Sequence, residues 1–142
     1  NMINEMKQSG LVNFGAHTYS HKDSRFISDD EIQQEVIQAN RIINNYTGIE
    51  IEDFCFPYGA YNLDIIKKLD ALNIYKRLYT SDGRSKKNMR NCYLLGRIGI
   101  ENEDTINSFE MKLRGRLNLY YFLTTTLKKL MKGYSYEIRR TS

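Results

Sequence analysis

The sequence is poor in several residue types. Its few cysteines and its lack of long apolar runs argue against two classes of protein. Its 142 residues include one proline, two histidines, two cysteines and no tryptophan. Two cysteines are too few for the disulfide framework of a small secreted domain and do not indicate a compartment. No apolar run approaches the ~18 residues of a transmembrane helix, and a mean hydropathy of −0.58 also argues against a membrane-spanning protein.

The charge of the chain admits an acidic partner but does not identify one. The formal net charge is +4, which makes nucleic acid a formal candidate. No basic stripe interleaved with aromatic residues supports that interpretation, and no nucleic-acid-binding module is recognisable. We therefore predict no nucleic-acid partner. A chain of this length is long enough to bury one hydrophobic core.

The two histidines lie four residues apart, directly after a strand-like run at 11–16. A neutral imidazole is the commonest protein ligand for zinc, and a rigid backbone can aim two of them at one ion from this spacing. The pair alone is weak evidence, because surface helices carry such pairs by accident. His17 and His21 are nevertheless the first candidates for metal chemistry.

A second motif, from Asp53 to Asn62, has the pattern of a buried strand that ends in a tight turn. It contains the only proline, Pro57, followed by Gly59. Proline fixes its own backbone and favours extended geometry before it, while glycine permits a sharp exit. The strand therefore delivers the backbone N–H of Tyr58 at a defined place, and an oriented amide at a strand tip suits an oxyanion hole.

The remaining pattern alternates strands with helices. One helix begins at Ser28, with Glu31 completing a capping box, and ends at Gly48. A second helix is predicted from about Leu63 to Leu72. The predicted strands are 11–16, 51–56, 75–80 and 93–99. This alternation favours parallel βα units in an α/β fold, with the site at the C-terminal ends of the strands.

Together the motifs resemble those of the polysaccharide deacetylases, carbohydrate esterase family 4. Their metal motif H-[ST]-x-x-H is matched by His17, Thr18 and His21, and their F-x-[FY]-P-Y-G strand end is matched by residues 54–59. The likeness covers roughly residues 1–100. It implies a partial distorted (β/α) barrel, with 1–103 as the C-terminal portion of the deacetylase-like domain and 104–142 as a helical extension.

The resemblance implies a hydrolase acting on carbon–nitrogen, non-peptide bonds. Its substrate would be an N-acetylated polysaccharide of the cell envelope or one exported from the cell, which favours an extracytoplasmic location. His17 and His21 would hold a divalent metal, usually zinc, together with an aspartate, and the Tyr58 N–H would stabilise the oxyanion. Thr18 and Ser20 would be hydroxyl partners of the ligands. Residues implied to contact substrate are Pro57, Tyr58 and Tyr61.

The sequence also departs from the family pattern. No aspartate precedes His17, whereas the family places a T-F-D-D strand there that supplies the base and the third ligand. The family's late L-x-H histidine is missing, and Cys55 stands where the R-x-P-Y form has arginine. We therefore expect the C-terminal portion of a longer protein that is inactive by itself. The alternative is a degenerate member that binds glycan or metal without catalysis.

Three further residues have two interpretations each. Arg97 lies near the place of the missing histidine and either stabilises a carboxylate in the site or is an ordinary solvated or structural arginine; it cannot donate a proton. Asp82 either replaces a missing acid or forms an Asp-Gly turn. Cys55 is either an additional metal ligand or, as we favour, a buried free thiol, because free cysteine behaves as a small hydrophobic residue. The basic loop around Asp82 either meets an acidic glycan or is a solvated loop; it includes Lys86, Lys87 and Arg90.

The C-terminal region reads as a basic amphipathic helix from about Asp104 to Lys132, with a break near Gly115. Such a helix either packs on the outside of the domain or lies on an anionic membrane surface, where it would act as a membrane-surface or interaction module. If the first strands of the barrel are missing, the strand at 11–16 has an unpaired edge. Open edges and apolar patches promote association, so we also expect self-association.

Overall fold

The computed structural model describes residues 2–83, 86–116 and 127. The chain divides into two compact units, which are considered separately below. The first comprises Asn1–Thr80 and Lys86–Leu95, and the second comprises Ser81–Ser85 and Gly96–Ser142. Both sequence motifs lie in the first unit.

The predicted helices are present, and the helix predicted from Ser28 to Gly48 consists of three successive segments. The helices are α1 (Met2–Ser9), α2 (Asp29–Ile32), a π-helical segment (Gln33–Gln38), α3 (Ala39–Thr47), α4 (Leu63–Leu72) and α5 (Ile106–Leu113). Residues at the junctions between α2, the π-helical segment and α3 are all right-handed helical, so these three run on as one helix. The Ser28 amide donates to the Glu31 carboxylate at 3.0 Å, as the capping box predicts. The Ser28 hydroxyl also lies 3.1 Å from that carboxylate. Gly48, with φ 65°, ends the helix.

The sheet has four strands, in the order β1, β2, β4, β3. They are β1 (Asp53–Cys55), β2 (Arg77–Thr80), β3 (Lys86–Asn88) and β4 (Tyr93–Gly96). β1 and β2 are parallel, as predicted, whereas β3 and β4 are antiparallel. The sheet formed by the described residues is open, so the structure supports a mixed α/β fold and does not confirm the predicted barrel. β3 lies at one edge, and its polar side chains are all exposed, as is common for edge strands.

The predicted strand at 11–16 is reduced to one parallel bridge, between Ala16 and Phe54 of β1. The Ala16 amide donates to the Asp53 carbonyl at 2.8 Å, and the Cys55 amide donates to the Ala16 carbonyl at 2.9 Å. Gly15 permits this approach, because a Cβ there would lie 3.3 Å from both the Cβ and the carbonyl oxygen of Asp53. Leu11, at the start of the run, is 90% exposed. The run at 11–16 is therefore paired with β1 only at its last residue, Ala16.

The core of the first unit lies between the sheet and the helices. Phe54 and Leu78 are paired in register on β1 and β2, and both side chains are fully buried. The same cluster includes Val36, Phe56, Ile65, Leu69 and Tyr75. Phe54 is flanked by Ala16 on one side and by Leu78 on the other. The core therefore lies directly beneath the two neighbouring segments that carry the histidine pair and the second motif.

Asp70 fastens the end of α4 to the turn before β4. Its buried carboxylate accepts the backbone N–H groups of Asn91 at 2.8 Å and Cys92 at 3.1 Å. Burial by itself raises the pKa of this carboxyl, but the hydrogen bonds from Asn91 and Cys92 outweigh it and hold the pKa below its usual value. Burial, together with the same carboxylate, raises the pKa of the Cys92 thiol to about 12. Cys92 is therefore an unreactive core thiol.

Replacing Asp70 with alanine should lower the free energy of unfolding by about 1–3 kcal/mol, because the buried Cys92 amide and the partly buried Asn91 amide lose their acceptor. A carboxyl whose pKa is lowered on folding contributes stability above its unfolded pKa of about 3.9. The difference between wild type and variant should therefore be constant near neutral pH and shrink as the pH falls through the lowered pKa. Urea denaturation at several pH values measures it. The exposed Asp64 of α4 is a matched control, and its alanine variant should change stability by less than about 1 kcal/mol.

The second unit contains α5, which ends well before the predicted helix does. Its last turn includes Lys112, a buried residue whose ammonium group donates to the Gly99 carbonyl at 2.9 Å and pairs with Asp104. This pair lowers the pKa of Asp104 to about 2. Gly115 has φ 70°, which agrees with the predicted break. The rest of the predicted helix, 117–126 and 128–132, lies outside the described residues. Within the described ranges no helix is long and apolar enough to cross a membrane.

Candidate functional site

His17 follows the Ala16 bridge, and its ring is fixed by the neighbouring strand. The Nδ1 atom of His17 lies 2.7 Å from the carbonyl oxygen of Cys55. A carbonyl oxygen can only accept a hydrogen bond, so Nδ1 carries the proton and the lone pair of the neutral ring is on Nε2. Metal-binding histidines are oriented in the same way, by a partner on the nitrogen that does not bind the metal. The geometry of β1 thus leaves Nε2 as the ring nitrogen that could bind a metal.

His21 lies against His17 and against the second motif. The ring centroids of His17 and His21 are 4.7 Å apart, with an interplanar angle of 66°. The His21 and Tyr58 rings are also 4.7 Å apart, in an edge-to-face arrangement at 82°. Two imidazoles that bind one zinc ion at about 2.0–2.1 Å have ring centres roughly 5 Å apart. The structure therefore brings both histidines and Tyr58 together, at a separation compatible with one shared ion.

Unusual backbone conformations are concentrated here. Among the described residues other than glycine, positive φ angles occur at Thr18, His21, Tyr58 and Asn73. Asn73 ends α4, where a left-handed residue is ordinary. The other three have φ of 59°, 60° and 58° and belong to the two motifs. Such conformations cost about 1–3 kcal/mol each and persist only where surrounding contacts enforce them.

The residues between the histidines make those contacts with the π-helical segment. The Ser20 amide and hydroxyl donate to the Glu35 carboxylate at 3.0 and 2.8 Å. The Tyr19 amide donates to the Glu35 carbonyl at 2.9 Å. The hydroxyl of Ser20 therefore binds Glu35, and the His17 imidazole is oriented by a backbone carbonyl. The predicted role of Ser20 as a hydroxyl partner of a ligand is not what the structure shows. The Thr18 hydroxyl is buried without a hydrogen-bond partner among the described residues.

The second motif forms the turn that the sequence predicted. Hydrogen bonds from the Gly59 amide to the Phe56 carbonyl and from the Ala60 amide to the Pro57 carbonyl close it, both at 2.9 Å. The Tyr58 amide is not used in closing the turn. The Pro57 side chain is buried and the Tyr58 side chain is 69% exposed. Tyr61 is partly buried and packs on the Phe56 ring, with centroids 5.3 Å apart, so it also has a packing role.

The other candidate residues have less defined roles. Cys55 is a free thiol, as predicted, but it is only partly buried, whereas a buried thiol was predicted. Its Sγ lies 3.8 Å from the Phe56 carbonyl oxygen. Asp82 lies in a turn next to Gly83, whose φ of 69° fits the Asp-Gly turn interpretation. Arg97 is exposed and follows β4. Asp82 and Arg97 both belong to the second unit, and their roles in a site remain predictions.

The side chains available as metal ligands fit part of a zinc site. His17 and His21 supply two imidazoles at a suitable separation, and the tautomer of His17 is the one required. Across the part of the chain that the structure describes, no three His, Cys, Asp or Glu side chains are grouped so as to hold a metal ion. A catalytic zinc usually has three protein ligands. The described residues therefore fit two ligand positions and do not provide the third.

Sequence reasoning missed two members of this site for different reasons. The Cys55 carbonyl is a backbone group, which no residue type can reveal. Glu35 resembles any polar helix residue in the sequence, and its importance depends on the contact with Ser20, fifteen residues earlier. Only its position four residues after the capping Glu31, on the same helix face, could have suggested a contact with the histidine loop.

Comparison with known proteins agrees with the motifs. The family model for polysaccharide deacetylases matches residues 1–76, more than half of the 142. A search of curated proteins found no match. Crystal structures of a polysaccharide deacetylase from Bacillus cereus and of a Bacillus anthracis protein assigned to the same class each match with a TM-score of 0.66 and 19% identity. Each match covers 78% of this chain but only 34% of the other, so the chain spans about a third of their length and shares their fold. The chain belongs to the polysaccharide deacetylase family.

Proposed function

We propose that this chain contributes two metal ligands and an oxyanion-binding amide to a zinc-dependent deacetylase that removes N-acetyl groups from a polysaccharide. One observation carries the proposal: the hydrogen bond from His17 Nδ1 to the Cys55 carbonyl leaves Nε2 free beside the ring of His21. Family membership supports the hydrolase class and an acetylated polysaccharide substrate. A cell-envelope glycan and an extracytoplasmic location follow from the same resemblance and belong to the proposal.

Each residue has a distinct task. His17 and His21 would hold the zinc, which when bound supplies an activated water and polarises the acetyl carbonyl. The Tyr58 amide, delivered by β1 and the Pro57 turn, would donate to the oxygen that becomes negatively charged in the transition state. The exposed Tyr58 ring would form one wall for the sugar, whereas Pro57 is fully buried and so supports the turn and does not make the substrate contact predicted for it.

The proposal assigns no catalytic base to residues 1–142. A base and a third ligand are required, and the family places both in a T-F-D-D strand, whereas this sequence has no aspartate before His17. We therefore propose that the 142 residues alone do not turn over substrate. Arg97 and Asp82 remain candidates for contacts with substrate or with an acid.

Acetate release from N-acetylglucosamine oligomers tests this proposal. The chain alone should release none. A version extended at its N-terminus by a segment containing Thr-Phe-Asp-Asp, placed to pair beside Ala16, should release acetate in a zinc-dependent manner and lose that activity in His17→Ala. The control is the same extension with both aspartates replaced by asparagine. Zinc-dependent release by the chain alone, lost in His17→Ala, would show that the base lies within these residues.

A second candidate function is binding without catalysis. Its support is the partly buried Cys55 thiol at the position where many relatives carry an arginine, together with the absence of a third histidine. This function predicts that the extended version binds zinc and glycan oligomers but releases no acetate. Membrane contact through the helix predicted from about Asp104 to Lys132 is a further proposal. Another is self-association through the run at 11–16, which among the described residues pairs with β1 only at Ala16.

A further inference from the structure

Glu35 is a buried carboxylate whose contacts are concentrated on the loop between the two histidines. Its side chain is 7% exposed. Its two oxygens accept the Ser20 amide at 3.0 Å and the Ser20 hydroxyl at 2.8 Å. Glutamate is rarely buried unless its charge is paired or hydrogen-bonded, because desolvation disfavours the ionised form. Ser20 therefore supplies the hydrogen bonds that make this buried position tolerable.

The π-helical segment brings the backbone of Glu35 into the same contact. In a regular α-helix the Ala39 amide would donate to the Glu35 carbonyl. Here the Ala39 amide donates to the Val36 carbonyl, and the Glu35 carbonyl accepts the Tyr19 amide at 2.9 Å. Local π-helical turns are frequent at functional sites. One residue thus receives three hydrogen bonds from Tyr19 and Ser20.

A neighbouring contact on the same helix supports the loop from its other end. Glu31 lies one turn before Glu35, and its carboxylate pairs with Lys22, the residue after His21. The Lys22 ammonium and the Ser28 amide hold the pKa of Glu31 at about 2, so this carboxylate is ionised at neutral pH. Two acidic residues on successive turns therefore hold the loop from Tyr19 to Lys22.

We infer that Glu35 is a positioning residue, which holds the loop between His17 and His21 in the strained conformation that brings the two imidazoles together. Thr18 and His21, the two loop residues with positive φ, flank the two residues that Glu35 binds. Without the Glu35 carboxylate the loop would lose two of the three acceptors that compensate for these conformations, and only the backbone carbonyl would remain. The inference concerns the loop itself, and its consequence for zinc binding rests on the proposed function.

Three variants separate the contributions of Glu35. Glu35→Ala removes both carboxylate acceptors. Glu35→Gln keeps both hydrogen bonds, because its amide oxygen can accept the Ser20 amide while its NH₂ group donates to the Ser20 hydroxyl oxygen. Ser20→Ala removes only the hydroxyl contact at an exposed position, so it tests the same loop even where Glu35→Ala does not fold.

Asp70→Ala is the matched control for a general loss of stability. Like Glu35, Asp70 is a buried carboxylate in a helix that accepts two hydrogen bonds from another segment. Its partners, Asn91 and Cys92, lie in the turn before β4 and not in the histidine loop. A merely structural role for Glu35 would make Glu35→Ala and Asp70→Ala alike in every measurement.

The first measurement is made without metal, on the full 142-residue chain. Because only two histidines are present, the imidazole region of the NMR spectrum contains two assignable ring systems, and amide exchange can be followed at Tyr19 and Ser20. Glu35→Ala should shift the His21 ring signals and accelerate exchange most at the Ser20 amide, which loses its acceptor, and less at the Tyr19 amide, whose backbone acceptor is kept. Glu35→Gln should restore the wild-type pattern, Ser20→Ala should give a partial change, and Asp70→Ala should leave all of these unchanged.

The second measurement is titration of the same proteins with zinc chloride. Loss of a group hydrogen-bonded directly to a metal ligand typically lowers affinity about 10- to 100-fold. Glu35 acts through Tyr19 and Ser20, so Glu35→Ala should lower zinc affinity by up to about that factor. Glu35→Gln and Asp70→Ala should bind zinc like the wild type. If the wild type binds no zinc, the proposed function fails while the metal-free spectra still decide the inference. Ring signals and amide exchange unchanged in Glu35→Ala, or in Ser20→Ala where Glu35→Ala does not fold, or changed equally in Asp70→Ala, would overturn the inference.

Discussion

Replacing His17 with alanine should remove zinc binding by this chain almost completely. The loss should exceed the roughly 10- to 100-fold that removal of an outer partner causes, because one of only two imidazoles in the sequence disappears. The wild type itself should bind zinc weakly, since two imidazoles leave a tetrahedral ion two ligands short. Isothermal titration with zinc chloride, at a pH where imidazole is neutral, measures both effects.

Two further alanine variants serve as comparisons for this experiment. His21→Ala should cause a comparable loss, since the two rings are adjacent, with centroids 4.7 Å apart. Cys55→Ala should bind like the wild type, because its thiol lies against the Phe56 carbonyl and is interpreted as a small hydrophobic group. Wild-type affinity in His17→Ala would show that zinc binds elsewhere. A loss in Cys55→Ala equal to that in His17→Ala would make the thiol a ligand.

Replacing Phe54 with alanine should lower the free energy of unfolding by about 3–5 kcal/mol, the range for deleting a buried aromatic ring. That is a large share of the roughly 5–15 kcal/mol that stabilises a typical domain. Phe54 is fully buried, pairs with Leu78 and supports the Ala16 bridge. The variant should therefore also lose the juxtaposition of His17 with the Tyr58 turn.

Urea denaturation and the two imidazole signals measure these two effects separately. Phe26→Ala is the matched control, because its ring is 51% exposed and contacts the Arg25 guanidinium at 5.4 Å. Its effect on stability should be about 0.5–1 kcal/mol. A Phe54→Ala variant as stable as Phe26→Ala would mean that the region under β1 is not the core of the first unit.

Local features of this fold were readable from the sequence because neighbouring residues determine them. The capping box of Ser28 and Glu31 and the Gly48 stop depend on hydrogen bonds within one helix turn. β3 was not predicted, since its residues are polar and exposed and it exists only by pairing with β4. The strand at 11–16 was predicted too long, because an extended segment needs a partner and the described residues provide one only at Ala16.

The candidate site was predictable in its composition but not in its geometry. Residue types and spacing were enough to select His17, His21 and Tyr58. Positive φ angles at three residues that are not glycine leave no mark in a sequence, because they are imposed by contacts from elsewhere. The π-helical turn is equally invisible, since its residues would also suit a regular α-helix.

The carbonyl of Cys55 links two parts of the site that are usually considered separately. It fixes the His17 ring, and the Tyr58 amide lies only three residues further along the same backbone. Between them Phe56 is fully buried, and its amide is tied to the Tyr79 carbonyl at 3.1 Å. The proposed ligand His17 and the proposed oxyanion donor, the Tyr58 amide, are therefore both positioned by the backbone at the end of β1. Their separation is set by the hydrogen bond between His17 and Cys55 and by the turn that leads from Cys55 to Tyr58.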